Sequence, residues 1–414
     1  MLAGIVGVAG CSGEPELVGE HVARGDQALS EGQYSRALSA YAHAHELSPQ
    51  SARVQRAQMW ARVVVMVDEP SRFAAEILDD VAYEAELLQK LAAGDKAREA
   101  MCVAAIGNVR ARRGDVDGAK EKLDEAVQID PSSATVRAAL GFVLLGRGDG
   151  DGARAAFDKA LEMDAGCARA LIGLGQIQLG KGDHAGAAER FLSALRKRED
   201  VGARMGLGNA LLQQGKHAEA AQAFERVVRV DGRNADALSS MGQALLGAGK
   251  LGEAEQALRA AIGMRADEGT AIALGYALAR LKKSEEAAAV FGQVLSHNPE
   301  AAAALYGTGI ANEDLGRTGA AREAYTRLLA VPATGAQGAM VSGLQKEARD
   351  RLAVLASAGD ANGPTGATAA SGGDAGAAGA GAGAAGAGAG AAGAGAGAQG
   401  GGKAGGAGAQ GGGR

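Results

Sequence analysis

The stretch most suggestive of chemistry is Gly175-Gln176-Ile177-Gln178-Leu179-Gly180-Lys181, whose spacing a phosphate-cradling loop would share. Such a loop also needs a preceding strand and a Ser or Thr after the Lys to hold magnesium. Gly182 stands at that place, no strand pattern precedes it, and an equivalent stretch returns at Gly141 to Arg147. A helix followed by a turn is therefore expected there, with no bound nucleotide. Of the six His residues, His43 and His45 come closest to a pair, but residues two apart point to different faces of a helix and cannot chelate like an i, i+4 pair. No Ser, Cys or pair of carboxylates sits in a nucleophile or glycosidase arrangement. Cys102 and Cys167 read as small helix-packing residues with free, buried thiols. The Arg-Gly-Asp triplets at Arg24, Arg113 and Arg147 resemble integrin ligands, but the last two fall on inter-helix turns and read as coincidence. We expect no catalytic residue, no metal, no cofactor and no small-molecule substrate, so the chain should not be an enzyme.

Composition narrows the class further. Hydrophobic residues make up 47% of the 414, yet aromatics are 3%, and there are 66 Gly and 7 Pro. Ala and Leu must supply the apolar content, as in closely packed helices. The formal net charge of −5, without a long basic block, argues against nucleic acid as a partner. No run approaches the ~18 apolar residues that a membrane-spanning helix needs.

One cysteine stands apart. Val8-Ala9-Gly10-Cys11 ends a short apolar run and resembles a bacterial lipobox, in which the peptide is cut before a Cys that carries a diacylglycerol. The resemblance implies lipidation at Cys11, a tether up to residue 17, and a lipid-anchored location in the cell envelope, on the outer-membrane or periplasmic side. No Lys or Arg precedes Cys11 to form the positive region of a signal peptide; a start codon further upstream would supply one.

The dominant pattern is a clock. A Gly recurs at Gly25, Gly107, Gly141, Gly175, Gly208, Gly242, Gly275 and Gly309, with intervals of 34, 34, 33, 34, 33 and 34 from Gly107 onward. About seven residues later a second Gly (Gly32, Gly114, Gly148, Gly182, Gly215, Gly249, Gly316) should end a first helix in a left-handed cap. Asp115, Asp149 and Asp183 follow as caps for a second helix. Then come a small residue (Ala37, Ala119, Ala153, Ala187, Ala220, Ala254, Ala287, Ala321) and, one turn on, Tyr41, Leu123, Phe157, Phe191, Phe224, Leu258, Phe291 and Tyr325 to fill the core. Lys282 replaces one turn Gly, so that turn should be less sharp. Residues 52–98 fit the pattern poorly and read as a lengthened, degenerate helix pair (Arg53 to Val67, then Ser71 to Leu91).

This pattern resembles the tetratricopeptide repeat over roughly residues 18–335. The resemblance implies an all-α, right-handed superhelical solenoid of antiparallel helix pairs, which holds other proteins. The expected organisation is a lipobox and tether (1–17), a first repeat (18–51), the degenerate pair (52–98), seven repeats (99–335), a capping helix (336–358, with Leu344, Ala348, Leu352 and Leu355 on its apolar side) and a disordered Gly/Ala tail (359–414). In the family the first helix of each unit lines a concave groove for peptides. Carried onto this chain, the groove position gives Asn108, Phe142, Gln176, Asn209, Gln243, Tyr276 and Ile310; amides there could grip a peptide backbone through donor and acceptor alike. One turn earlier stand Ala104, Ala138, Ile172, Met205, Ser239, Ile272 and Tyr306, which lack the Lys-rich clamp for a terminal carboxylate. The function implied is a scaffold or chaperone for envelope proteins. A cytoplasmic scaffold in signalling or regulation and a substrate-docking subunit of an enzyme complex are the alternatives.

Overall fold

The computed structural model describes residues 16–92 and 94–360. Cys11 and the Gly/Ala stretch beyond residue 360 lie outside them. Every regular element among the described residues is helical, and the chain divides into two compact units after Ile177. The first holds α1 (Glu16–Ser30), α2 (Tyr34–Leu47), α3 (Ala52–Asp68), α4 (Leu78–Leu91), α5 (Lys96–Arg112), α6 (Val116–Ile129), α7 (Ala134–Gly146) and α8 (Gly150–Met163). The division falls inside α9 (Ala168–Gly180). The second holds α10 (His184–Lys197), α11 (Val201–Gln213), α12 (His217–Val230), α13 (Ala235–Gly247), α14 (Leu251–Met264), α15 (Glu268–Arg280), α16 (Ser284–His297), α17 (Ala302–Asp314), α18 (Thr318–Ala330) and α19 (Gly338–Asp360). Within each unit consecutive helices pack as hairpins, and the hairpins stack on their neighbours.

Local chemistry sets the hairpin ends. Asp115, Asp149 and Asp183 accept from the backbone N–H of Gly118, Gly152 and Gly186 at 2.9, 2.8 and 2.9 Å, satisfying donors that the first turn leaves without helical partners. Ser133, Asn234 and Asp267 do the same for α7, α13 and α15. Turns close with a left-handed residue: at Gly249 (φ 78°), Lys250 N–H reaches back to Leu245 O at 2.9 Å. The expectation of a looser turn at Lys282 is overturned. Lys282 adopts φ 60°, and Lys283 N–H bonds Leu278 O at the same 2.9 Å. The hydrogen bonds and packing of α15 and α16 hold the turn against the steric cost of a Cβ there.

Packing is fixed by rings set against bare backbone. Phe157 of α8 is fully buried between Gly141 of α7 and Gly173 of α9. A Cβ on Gly141 would lie 2.5 Å from the ring, and one on Gly173 would lie 2.2 Å from it. In the second unit Phe291 of α16 is held alike by Gly275 of α15 and Gly307 of α17, at 2.5 and 2.3 Å. Where the buried residue is Leu123 or Leu258, the position matching Gly173 and Gly307 carries Ala139 or Ala273.

The irregular pair departs from its expected bounds. α3 runs to Asp68, then Pro70–Arg72 and Ala75–Ile77 form short 3-10 turns, and α4 starts only at Leu78 rather than at Ser71. The carbonyls of Pro70 and Phe73 turn to Arg112 instead of continuing a helix. α19 extends the expected capping helix at its C-terminal end. Leu344 and Ala348 are buried, with Leu352 and Leu355 packed against the same cluster.

The ring–backbone contacts predict that Gly309→Ala, whose Cβ would sit 2.2 Å from the Tyr325 ring, destabilises the second unit by about 1–3 kcal/mol or more. Gly292→Ala, on an open surface of α16, should instead stabilise it by about 0.5–1 kcal/mol. Urea unfolding followed by circular dichroism would separate the two. In the same assay Lys282→Gly should stabilise by about 1 kcal/mol, since relief of the left-handed strain exceeds the loss of an exposed Lys282–Asp314 ion pair.

Candidate functional site

The helices that open each hairpin (α5, α7 and α9 in the first unit; α11, α13, α15 and α17 in the second) carry the residues expected to face a ligand. The structure sorts these residues into three groups.

In the first unit, Asn108 of α5 is buried, and its amide nitrogen donates to Met66 O at 2.9 Å and Val67 O at 3.2 Å in α3. Phe142 of α7 is half-buried, edge-on to Phe157 with centroids 5.1 Å apart, and the Arg169 guanidinium of α9 lies 4.7 Å from its ring centre. Arg169 is buried and also donates to Asp68 O, where α3 ends. One turn beyond Asn108, Arg112 donates to Pro70 O at 2.5 Å and Phe73 O at 3.2 Å. Asn108 thus reaches the end of α3 directly, Phe142 only by way of Arg169, and Gln176 of α9 stays exposed.

In the second unit, Tyr276 and Ile310 are committed to packing. Tyr276 donates to Ala303 O of α17 at 2.8 Å, and its ring stands edge-on to Phe291 with centroids 5.3 Å apart. Burial, then the nearby Tyr306 hydroxyl and Glu347 carboxylate, push the Tyr276 pKa up. Ile310 packs against the apolar cluster under α19. Asn209 and Gln243 remain half-exposed on the successive helices α11 and α13.

Gln243 is oriented by a hydroxyl relay. The Asp267 carboxylate accepts from Thr270 Oγ1, so Thr270 must in turn accept from Ser239 Oγ, 2.7 Å away. Ser239 Oγ is then left to accept from Gln243 Nε2 at 3.4 Å. Buried Thr270 gives little sign in the sequence of anchoring this chain; only the Asp267-x-x-Thr270 spacing of a helix start could have flagged it.

A further cluster is invisible in the repeat pattern. Tyr306 of α17 donates to Glu347 of α19 at 2.5 Å, and Arg351 sits 6.0 Å over the Tyr306 ring while bonding Glu313 at 2.7 Å. Burial raises the Tyr306 pKa, and the Glu347 carboxylate adds to it. These residues line a shallow cleft of about 370 Å3 with Asp350, Val354 and Leu355. The cleft depends on α19, whose docking register the 34-residue clock does not cover.

Cys102 and Cys167 are free and buried, and desolvation pushes the Cys102 thiol up to about 11, away from reactivity. No group of three or more metal-ligating side chains gathers among the described residues, and no described helix is long and apolar enough to cross a membrane.

A tetratricopeptide-repeat family profile matches residues 104–160, 138–202, 205–269 and 272–338, more than half of the chain. The chain belongs to the tetratricopeptide repeat family, whose stacked helix pairs are protein-interaction scaffolds. A search of curated protein sequences finds no match. Among solved structures the chain is similar to YrrB, described as a TPR protein with an unusual peptide-binding site (23% identity, 45% of this chain and 97% of that one, TM-score 0.42). It is also similar to pilF of Pseudomonas aeruginosa (24%, 51% and 96%, TM-score 0.45) and to the APC/C hetero-tetramer Cut9-Hcn1 (16%, 83% and 79%, TM-score 0.46).

The Tyr276 hydroxyl gives a pH signature. The unfolded chain ionises this Tyr near pH ~10, while the folded chain keeps the proton, so the associated stability is present below pH ~10 and is lost as pH rises above it. Tyr276→Phe should lower stability by about 0.5–1.5 kcal/mol at pH ~8 through the lost bond to Ala303. Its decline between pH ~10 and ~11 should be shallower than that of the wild type, read from urea midpoints across that range.

Proposed function

We propose that this tetratricopeptide-repeat chain is a scaffold or chaperone that takes peptide segments of partner proteins on the helices that open its hairpins, with Asn209 and Gln243 as peptide-facing amides of the second unit and Gln176 as an exposed amide of the first. The observation that carries this reading is the pair Asn209 and Gln243. They occupy the same register on neighbouring helices, are open to solvent in part, and Gln243 is held in place by the Ser239–Thr270–Asp267 relay. Amides so placed supply both donors and acceptors to an extended backbone without selecting strongly among side chains. Asn108, Phe142, Tyr276 and Ile310 support the same faces through packing.

The chain in this reading works in the bacterial cell envelope, tethered by a lipid on Cys11. Its support is the Val8-Ala9-Gly10-Cys11 sequence and the small, polar stretch that follows. Anchoring through acyl chains fits a body whose described helices offer no membrane span.

Two measurements test the two halves. Partner proteins captured by the wild-type chain should be lost from an Asn209→Ala, Gln243→Ala variant that keeps its helical circular dichroism; equal capture by both would sink the amide wall. Intact mass and membrane fractionation, with a Cys11→Ala control, should show a lipid-sized increment on a chain beginning at Cys11 and membrane association lost in the control. A soluble, unmodified chain would leave a cytoplasmic scaffold as the function.

A further inference from the structure

Three side chains of the first unit, two on α5 and one on α9, aim their N–H groups at one short piece of the same chain. Asn108 donates to the carbonyls of Met66 and Val67, Arg169 to that of Asp68, and Arg112 to those of Pro70 and Phe73. The first three carbonyls belong to the last turn of α3, where a helix runs out of its own N–H donors. Two guanidinium groups at that end also meet the negative pole of the helix. Phe142 completes the face, with the Arg169 guanidinium lying over its ring.

These are the groups a peptide-binding face would use, and here they are already engaged. Asn108 and Phe142 hold the register that carries the half-exposed Asn209 and Gln243 in the second unit. We infer that the ligand face of the first unit takes the carbonyl end of a helix followed by a tight turn, and that residues 66–73 are its built-in occupant. This rests on the reading of the inner helix faces as ligand faces. A partner presenting the same chemistry, an apolar helix that stops at a turn, binds the first unit only when this strap lifts.

The strap is built to lift at one end. α3 is deeply anchored, with Val63, Val65, Met66 and Val67 fully buried. After Asp68 the chain changes character: two 3-10 turns separated by Phe73 and Ala74, with Phe73 the only buried residue between Glu69 and Ile77. Release of Phe73, of the Arg112 and Arg169 bonds and of the Arg72 bond to Ser35 Oγ of α2 would free residues 68–77, while α3 up to Val67 stays packed with its two bonds from Asn108.

A fluorescein-labelled synthetic peptide of residues 61–76, added to the full chain, tests the assignment by fluorescence anisotropy. Phe73→Ser loosens the strap by removing its one buried side chain, and it keeps the Asn108, Arg112 and Arg169 side chains as they are. It should bind the peptide saturably and roughly tenfold or more tighter than the wild type does, and adding Arg112→Ala and Arg169→Ala should abolish the gain. A folded Phe73→Ser chain that binds the peptide no better than wild type overturns the inference. Hydrogen exchange on the unmodified chain gives a second test that does not depend on a variant folding. Amides of residues 69–77 should exchange roughly tenfold or more faster than those of α5 to α8, through an opening local to the strap. Exchange in step with those helices would make the segment part of the core and overturn the inference as well. Either failure leaves the capture experiment on Asn209 and Gln243 unaffected, so the strap and the amide wall stand or fall separately.

Discussion

Each repeat hangs on one contact, a large side chain of the second helix pressed against bare backbone in the first helix of its own hairpin and, where a second Gly allows it, in the next. Phe157 between Gly141 and Gly173, and Phe291 between Gly275 and Gly307, are the clearest cases. Interiors at crystal-like density leave no slack for a methyl group there. The ring can approach so closely only because the first helices carry no side chain at those positions. What remains on their other side is a row of positions relieved of core duty. The candidate ligand residues sit on that row because the rings already fill the interior.

Not every position on the row stays free of structural work. Tyr276 spends its hydroxyl on Ala303 and its ring on Phe291, and Asn108 spends its amide on α3. The row is therefore patchy. Asn209 and Gln243 stand half open, while Tyr306, one turn earlier on its helix, is covered by α19 through Glu347 and Arg351. Amides suit both uses, since one side chain can serve as a clasp on a neighbouring helix end or as a grip on a ligand. Gln345 shows the first use again, donating to Leu328 O at 3.1 Å and Val331 O at 2.7 Å where α18 ends.

Much of this architecture is written in residue types whose roles are local. The 34-residue clock, the turn glycines and the capping aspartates report single-turn geometry, so they name the hairpins and their limits closely. Lys282 shows where such reading fails: the residue type argued for a loose turn, and the pairing of α15 with α16 imposed the left-handed conformation regardless. The degenerate pair and the candidate site were less legible for a related reason. Asn108 and Asn209 are the same residue at the same register, yet one is buried under α3 and the other half exposed. What separates them is a segment some forty residues upstream of Asn108, outside the periodic part of the chain. No property of the position itself carries that information.

The bond from Arg169 to the Asp68 carbonyl joins residues 101 apart, in an array whose other stabilising contacts run mainly between adjacent hairpins. Stacked repeats of purely neighbouring contacts can start folding anywhere and zip outward, each hairpin adding its own increment. A clasp of that span cannot close until α5, α7 and α9 are all in place, so its loop-closure cost falls late and all at once. It binds the fate of α3 to that of α9. The helices that the clasp encloses, from α4 to α8, should accordingly fold and melt together, in contrast to the piecemeal fraying that a plain stack of hairpins allows.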